Sequence, residues 1–570
     1  MSAADITLLD TLALLDTPLR EFADGIADDR YAIWLGAGIS FEKLPGLKGV
    51  AEAVLEHVRQ RIDPTDPGCA FKACLSDIMG LVTLDDDQRA KIDFAAPAAS
   101  WEPIELVRRQ LVDRYSTMLD LFPANETPDY LVWDGIDVAT RYADPATTPG
   151  AAHLGLAALV MEGVASECAS ANWDDLIEKA MKVADGAASA VLQVRVLPGD
   201  VQDSLRRARL YKFHGCAALA AQDEATYRSK IVGRQSQIDG WAGKPENAVI
   251  ATKLRDLAVS KATLMLGLSA QDTNIQQIFI DARLLLPASF PTHPPRVMVS
   301  ENEVGPRQRS LLQNFYRDDY AGQPAAIHAA SLVQAYSRSL LPALWLFTLR
   351  AKLAALIDQA APTLPAGERD ALRQGLTRLR DLAAGAADPA DHEAFMLKAL
   401  VSAGRALRLF HRGRAPTAAE GVYTPLTDGG VARSLAAPLL ATEGLVELSL
   451  ALGLIGHGEQ AGLWTCATPD PAEAKSGALC LVGAVRTAEV FFAASANASA
   501  QLIASGHVAE DDDAVIVHSF PVPARSARHP TGAPGRTGRL GLREFSVSSV
   551  ANNAVGLDVL LQQFKTEMAL

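Results

Sequence analysis

The sequence predicts an α/β protein: a doubly wound, mostly parallel, Rossmann-like sheet, followed by a helical and then a mixed α/β region. Three observations predict it. Short apolar and aromatic runs alternate with helical stretches over residues 1–305. Two of these runs break into glycine turns just before a helix, at Gly36-Ala37-Gly38 and at Gly267-Leu268-Ser269. The alternation then gives way to dense leucines at helical spacing from Leu332 onward. Right-handed crossovers between parallel strands put all the strand-end loops on one edge of such a sheet. That is the edge at which open α/β sheets bind ligands.

Length and composition bound the rest. At 570 residues the chain exceeds one ordinary domain. A hydrophobic share of 49% with 21% charged residues describes a globular protein. No segment reads as a run of about 18 uncharged apolar residues, so no membrane-spanning helix is expected. The start, MSAADITLLD, lacks the basic n-region of a signal peptide. Cys69, Cys74, Cys168, Cys216, Cys466 and Cys480 are scattered and form no CxxC pair, which fits a reducing cytoplasm. A net charge of −14 argues against a broad nucleic-acid-binding surface.

The elements follow in order. Residues 1–30 read as helical through Leu8, Leu9, Leu12, Leu14 and Leu15. Tyr31 to Leu35 is a buried strand that runs into Gly36-Ala37-Gly38-Ile39-Ser40, and a helix is expected from about Gly46 to Arg61. Glycines spaced in this way allow close approach of backbone to a ligand, and the helix N-terminus favours phosphate. Residues from about 65 to 150 read as a helical insertion over the sheet, either a lid or a structural cap. His153 to Ala165 is apolar. Asn172 and Asp174 sit on the turn before the next helix, where Asn and Asp serve equally as helix caps. Val191 to Leu197 reads as a strand, and Leu210-Tyr211-Lys212-Phe213-His214-Gly215 reads as another that ends in His-Gly. A histidine there can be structural or can act as a general base at a strand's carboxyl end. Ala262 to Leu266 is the next strand, before the second glycine turn, and Arg296 to Ser300 is expected to be the last.

Four motifs, in this order, resemble those of the sirtuin NAD-binding domain, and more closely the sirtuin-like domains of bacterial antiphage defence proteins. They are Gly36-Ala37-Gly38-Ile39-Ser40, Asn172-Trp173-Asp174-Asp175-Leu176-Ile177-Glu178, His214-Gly215, and Gly267-Leu268-Ser269 with Asp272. The resemblance implies that Gly36, Ala37, Gly38 and Ser40 lie against the NAD pyrophosphate and ribose. It implies that Asn172 and Asp174 face the nicotinamide ribose, and that His214 is the general base. Gly267 and Ser269 would bind the adenosine side, and Asp272 and Asn302 are carried over with them as cofactor-binding residues. The two CxxC pairs that hold zinc in protein-deacylating sirtuins are missing, so no metal is expected. The run after the first loop is Phe41-Glu42-Lys43-Leu44-Pro45-Gly46-Leu47 instead of the family's S-G-I-P-D-F-R, and Ser170 stands where the second motif has Thr.

These departures point the resemblance toward NAD hydrolysis, giving nicotinamide and ADP-ribose, in an effector of antiphage defence that depletes NAD. The alternatives are a zinc-free NAD-dependent deacylase or ADP-ribosyltransferase, and a non-catalytic NAD or ADP-ribose sensor. The family context implies a sensor or activator encoded nearby, such as a short Argonaute or an ATPase, and a homo- or hetero-oligomer. The domains expected are 1–305, with the NAD site, 306–460, helical, and 461–570, mixed α/β. In the second half, Leu332 to Gln359 reads as a long amphipathic helix, with further helices at Gly367 to Ala384 and Asp391 to Leu409. Strands are expected at Ala478 to Val485, Ala488 to Ala494 and Ala514 to Phe520. Arg525, Arg528, His529, Arg536, Arg539 and Arg543 form a basic loop, the one stretch suited to nucleic acid or an acidic partner.

Overall fold

The computed structural model describes residues 2–186, 190–202, 206–286, 289–417, 420–437, 443–521, 541–551 and 556–570. Its first sheet has seven strands: β1 (Tyr31–Leu35), β2 (Glu167–Ser170), β3 (Leu192–Arg195), β4 (Ala208–Lys212), β5 (Ala262–Leu266), β6 (Val297–Ser300) and β7 (Leu332–Val333). Their order is β3-β4-β2-β1-β5-β6-β7 and every pairing is parallel. The register puts Ile33 of β1 opposite Cys168 on one side and Leu264 on the other. All five residues of β1 are buried, as expected for a central parallel strand covered on both faces. Tyr31, Ile33 and Leu35 pack into one apolar layer with helices Ala151–Met161 and Ser337–Ala360. Ala32 and Trp34 point the opposite way, toward helices Ala248–Ser260 and Thr273–Leu285.

Two strands differ from the sequence reading. β2 is only four residues long and begins with a charged Glu167, so it gives no apolar run to recognise. β7 follows Arg296 to Ser300 in the sheet, which therefore continues past residue 305 to Val333. It takes the first two residues of the stretch read as a long helix. The helix itself starts at Ser337 and ends at Ala360. It is not amphipathic in its first half, where Leu340 to Phe347 are all buried. That half packs with Ala151–Met161 and with the two N-terminal helices Leu8–Asp16 and Arg20–Ala27. The whole helix Ser337–Ala360 is long and apolar enough, by length and composition, to cross a membrane, and most of its apolar window is buried within the protein.

Between β1 and β2 the chain forms helix Leu47–Gln60 and then the expected helical insertion, with Ala70–Gly80, Ile104–Asp113 and Tyr115–Leu119 as its main pieces. The insertion has its own core, in which Leu75, Ile78, Val107 and Leu111 pack on Val54, Leu55 and Val58.

The second half contains helices Ala366–Gly385, His392–Arg412 and Leu445–Gln460 and a five-stranded sheet. Its strands are β8 (Trp464–Ala467), β9 (Leu479–Gly483), β10 (Thr487–Ala493), β11 (Ala514–His518) and β12 (Arg543–Ser546), ordered β12-β11-β10-β9-β8. β10, β11 and β12 are parallel, and β9 and β8 are antiparallel additions. Of the basic loop, Arg525, Arg528, His529, Arg536 and Arg539 lie outside the described residues, and Arg543 opens β12.

The halves meet at a buried ionic cluster. Glu162, which ends helix Ala151–Met161, is fully buried. Lys352 donates to its Oε2 at 2.6 Å, to its main-chain oxygen at 2.8 Å and to the Thr427 carbonyl at 3.0 Å. Three acceptors thus match the three protons of the ammonium. The other carboxylate oxygen accepts from the Tyr423 hydroxyl and, at 2.9 Å, from the Leu426 amide.

Candidate active site

A cavity of about 310 Å³ lies at the carboxyl edge of the first sheet. Its polar lining comes from loops that follow four strands. Gly36, Ala37, Gly38 and Ser40 follow β1, and Asn172 and Asp174 follow β2. His214 follows β4, and Gly267, Ser269 and Asp272 follow β5. The fold therefore brings together residues up to 236 positions apart, from Gly36 to Asp272, because parallel strands end on a common edge. Asn302 is not among the lining residues. It follows β6 with an exposed side chain whose Oδ1 accepts from the Ala3 amide at 3.0 Å.

The two glycine turns touch each other. The Gly38 amide donates to the Gly267 carbonyl at 3.0 Å, and the Gly36 amide to the Leu266 carbonyl at 3.1 Å. A Cβ on Gly38 would come within 2.6 Å of the Gly267 Cα. Gly267 also has a φ of +58°, in the left-handed region. The glycines thus serve backbone-to-backbone packing of β1 and β5 loops as well as the cavity wall.

Asp174 is held by short-range bonds on both oxygens. Oδ1 accepts from the Leu176 amide at 3.2 Å, as in an Asx-turn entering helix Leu176–Asp185. Oδ2 accepts from Ser40 Oγ at 2.9 Å. Asn172 Nδ2 approaches the same Ser40 oxygen at 3.4 Å. Asp174 thus combines the helix-start role and the cavity role that the sequence leaves as alternatives. Beneath it, the buried Lys212 donates to the Asp174 main-chain oxygen, to Glu178 Oε1 at 2.9 Å and to Cys216 Sγ at 3.3 Å. Burial alone would lower the lysine's pKa, but the Glu178, Cys216 and Asp174 charges outweigh it and the ammonium is held well above its ordinary range.

His214 forms a second pair. Its Nε2 lies 2.9 Å from Asp272 Oδ2, and both side chains are buried. Asp272 Oδ1 caps helix Thr273–Leu285 by accepting from the Asn274 amide at 2.7 Å. Burial would raise the Asp272 pKa, yet the His214 and Asn274 hydrogen bonds bring it below the usual carboxylate range. An ionised carboxylate only accepts, so His214 Nε2 is the donor of this bond, and in the neutral ring Nδ1 is the acceptor.

Several lining residues carry no site signal in the sequence. The insertion and its return contribute Tyr115, Leu119 and Tyr142, and helix Leu47–Gln60 contributes Leu47 and Val50. Trp173 packs edge-on against Tyr142 at 5.4 Å and donates from Nε1 to the Val232 carbonyl at 3.1 Å. These add apolar and aromatic surface to the cavity lining. His153 bonds to Ser40. Its signal in the sequence is a lone imidazole at the start of a helix whose every residue is buried. Among the described residues, no group of three or more His, Cys, Asp or Glu side chains could hold a metal ion.

The comparison with curated proteins found no match. Residues 166–318 match the family model of the SIR2-like domain, and the C-terminal half matches no family. The matched span runs from β2 through β6 and includes Asn172, Asp174, His214, Gly267, Ser269 and Asp272. The chain thus carries a SIR2-like domain, a sirtuin-type and NAD-related unit.

Proposed function

We propose that this protein hydrolyses NAD⁺ at the cavity, releasing nicotinamide and ADP-ribose. The observation that carries this reading is that one cavity is lined both by an Asp174 carboxylate held as an acceptor and by a His214 imidazole backed by Asp272. Cleavage of the bond between ribose C1′ and the nicotinamide nitrogen leaves the electron pair on nicotinamide and positive charge on the ribose, an oxocarbenium-like state. A fixed carboxylate in a cavity with apolar lining stabilises that charge more than water does. A water molecule then attacks C1′, and its proton passes to His214 Nδ1. Asp272 steadies the imidazolium that results. Asn172 can orient the water or a ribose hydroxyl, and Tyr142 and Trp173 offer faces to the nicotinamide ring.

In the cell this activity would make the protein an antiphage effector that acts by depleting NAD in the cytoplasm, with the second half receiving the trigger from a sensor partner. The support is the resemblance carried by the four motifs. The test is cellular NAD after induction and phage challenge, for the wild type, His214→Ala and Asn172→Ala. We expect NAD to collapse in the wild type only, because loss of a general base slows turnover by about 10²–10⁴-fold. Unchanged NAD under every challenge, with the purified protein still binding NAD, would overturn the reading.

A further inference from the structure

We infer that His153 is a positioning residue that fixes the direction of a hydrogen-bond relay ending on Asp174, so that the aspartate can only accept. This rests on the hydrolase reading for its consequence, but the relay itself is built from groups already described. It starts at a backbone amide, which can only donate. The Gly150 N–H points to His153 Nδ1 at 3.2 Å. That ring nitrogen must therefore be the acceptor, and the proton of the neutral ring must sit on Nε2. Nε2 lies 3.1 Å from Ser40 Oγ and donates to it. The serine has one proton, and it points to Asp174 Oδ2 at 2.9 Å. Reversing any link would leave two donors or two lone pairs facing each other inside the protein.

The environment keeps this direction. His153 is 1% exposed, Ser40 2% and Asp174 5%, so water does not compete for these bonds. Burial pushes the His153 pKa down to about 4, against the pull of Asp174, and the ring stays neutral at physiological pH. A protonated ring would lose its acceptor for Gly150. Because the only Ser40 proton is committed to Asp174, Ser40 has none to offer a phosphate or a ribose. It stays on the cavity wall and acts through Asp174. Asp174, with both oxygens bonded, keeps one orientation toward the cavity, as charge stabilisation at ribose C1′ requires.

The test compares His153→Leu with His153→Gln in the full-length chain, both checked for folding by thermal melting. The glutamine amide can reproduce the relay, since its oxygen accepts from Gly150 and its nitrogen donates to Ser40. The leucine cannot. We expect His153→Leu to lower kcat for NAD by about 10–100-fold, the usual effect of losing an outer-shell orienting group, with little change in KM. His153→Gln should restore most of that turnover. A folded leucine variant as active as the wild type, or a folded glutamine variant as inactive as leucine, would overturn the proposal. The ¹⁵N resonances of the His153 ring supply a readout independent of turnover: the proton is expected on Nε2, and a proton on Nδ1 would overturn the relay. A wild-type protein without NAD turnover would remove the functional reading alone, and the relay would then stand or fall on the tautomer.

Discussion

Helix Ala151–Met161 carries a buried polar cluster at each end, and the two differ in what they face. At its carboxyl end, Glu162 is closed in on all sides. Lys352, Tyr423 and the Leu426 amide meet its oxygens, and Trp345 Nε1 in turn donates to the Tyr423 hydroxyl at 2.9 Å. At its amino end, His153 leads through Ser40 to Asp174, which lines a cavity. Both clusters are desolvated and both are well satisfied. The closed one specifies how the second half docks on the first, for which a buried ion pair is suited because misdocking would leave charges unpaired. The open one ends on a carboxylate that lines the cavity, and that is where chemistry can occur. Burial and charge together do not mark a site. An adjoining void does.

The largest effect is expected at the closed end. Lys352→Met would leave the Glu162 carboxylate buried without its cation, which costs about 3–5 kcal/mol of stability. Denaturant unfolding should show the loss, while NAD turnover per folded molecule should stay near wild type. A large fall in turnover at temperatures where the variant is folded would mean that the closed cluster also shapes the site.

A smaller effect is expected from pH at the open end. The His153 pKa is about 4 when folded, against 6.5 for an unperturbed histidine. Above pH 6.5 the ring is neutral in both states. Below it the unfolded chain takes up a proton that the folded protein refuses, so stability falls as pH drops from about 6.5 to about 4, by at most about 3 kcal/mol. Unfolding free energies measured across this range should decline more steeply for the wild type than for His153→Gln. Equal slopes would place the titrating group elsewhere.

The smallest effect sharpens the question of how the second half reaches the site. Lys43, in the loop after the first glycine turn, pairs with Glu393 of helix His392–Arg412 at 2.6 Å, with both side chains partly exposed. Glu393→Gln should change stability by no more than about 1 kcal/mol, and turnover should not change. A marked change in turnover would show that this surface pair holds the loop in its active position.

Much of this arrangement was legible in the sequence. β1 and β5 are continuous apolar runs that end at glycines, so both the strands and the turns could be placed. His214 is legible because it follows a strand and precedes a glycine. The strands β9, β10 and β11 of the second sheet were also visible, as runs between turn residues. What could not be read has physical causes. β2 is too short and too polar to show a period. β7 is two residues long, and its identity rests on pairing with β6. The first half of helix Ser337–Ala360 is buried on every side, so its pattern contains no polar face to distinguish what it packs against. Asn302 has a residue type suited to the site, but its side chain is turned to Ala3.

The sequence by itself determined the parallel α/β architecture, the two glycine turns and the chemical identity of the groups at the strand ends. These are local properties: strand period, turn stereochemistry and the donors and acceptors each side chain carries. Only the tertiary structure decided which groups meet. Ser40 and His153 are 113 residues apart, and Ser40 and Asp174 are 134 apart. A hydrogen bond has a direction only when both partners are in place, so the relay through His153 exists at no level below the folded chain.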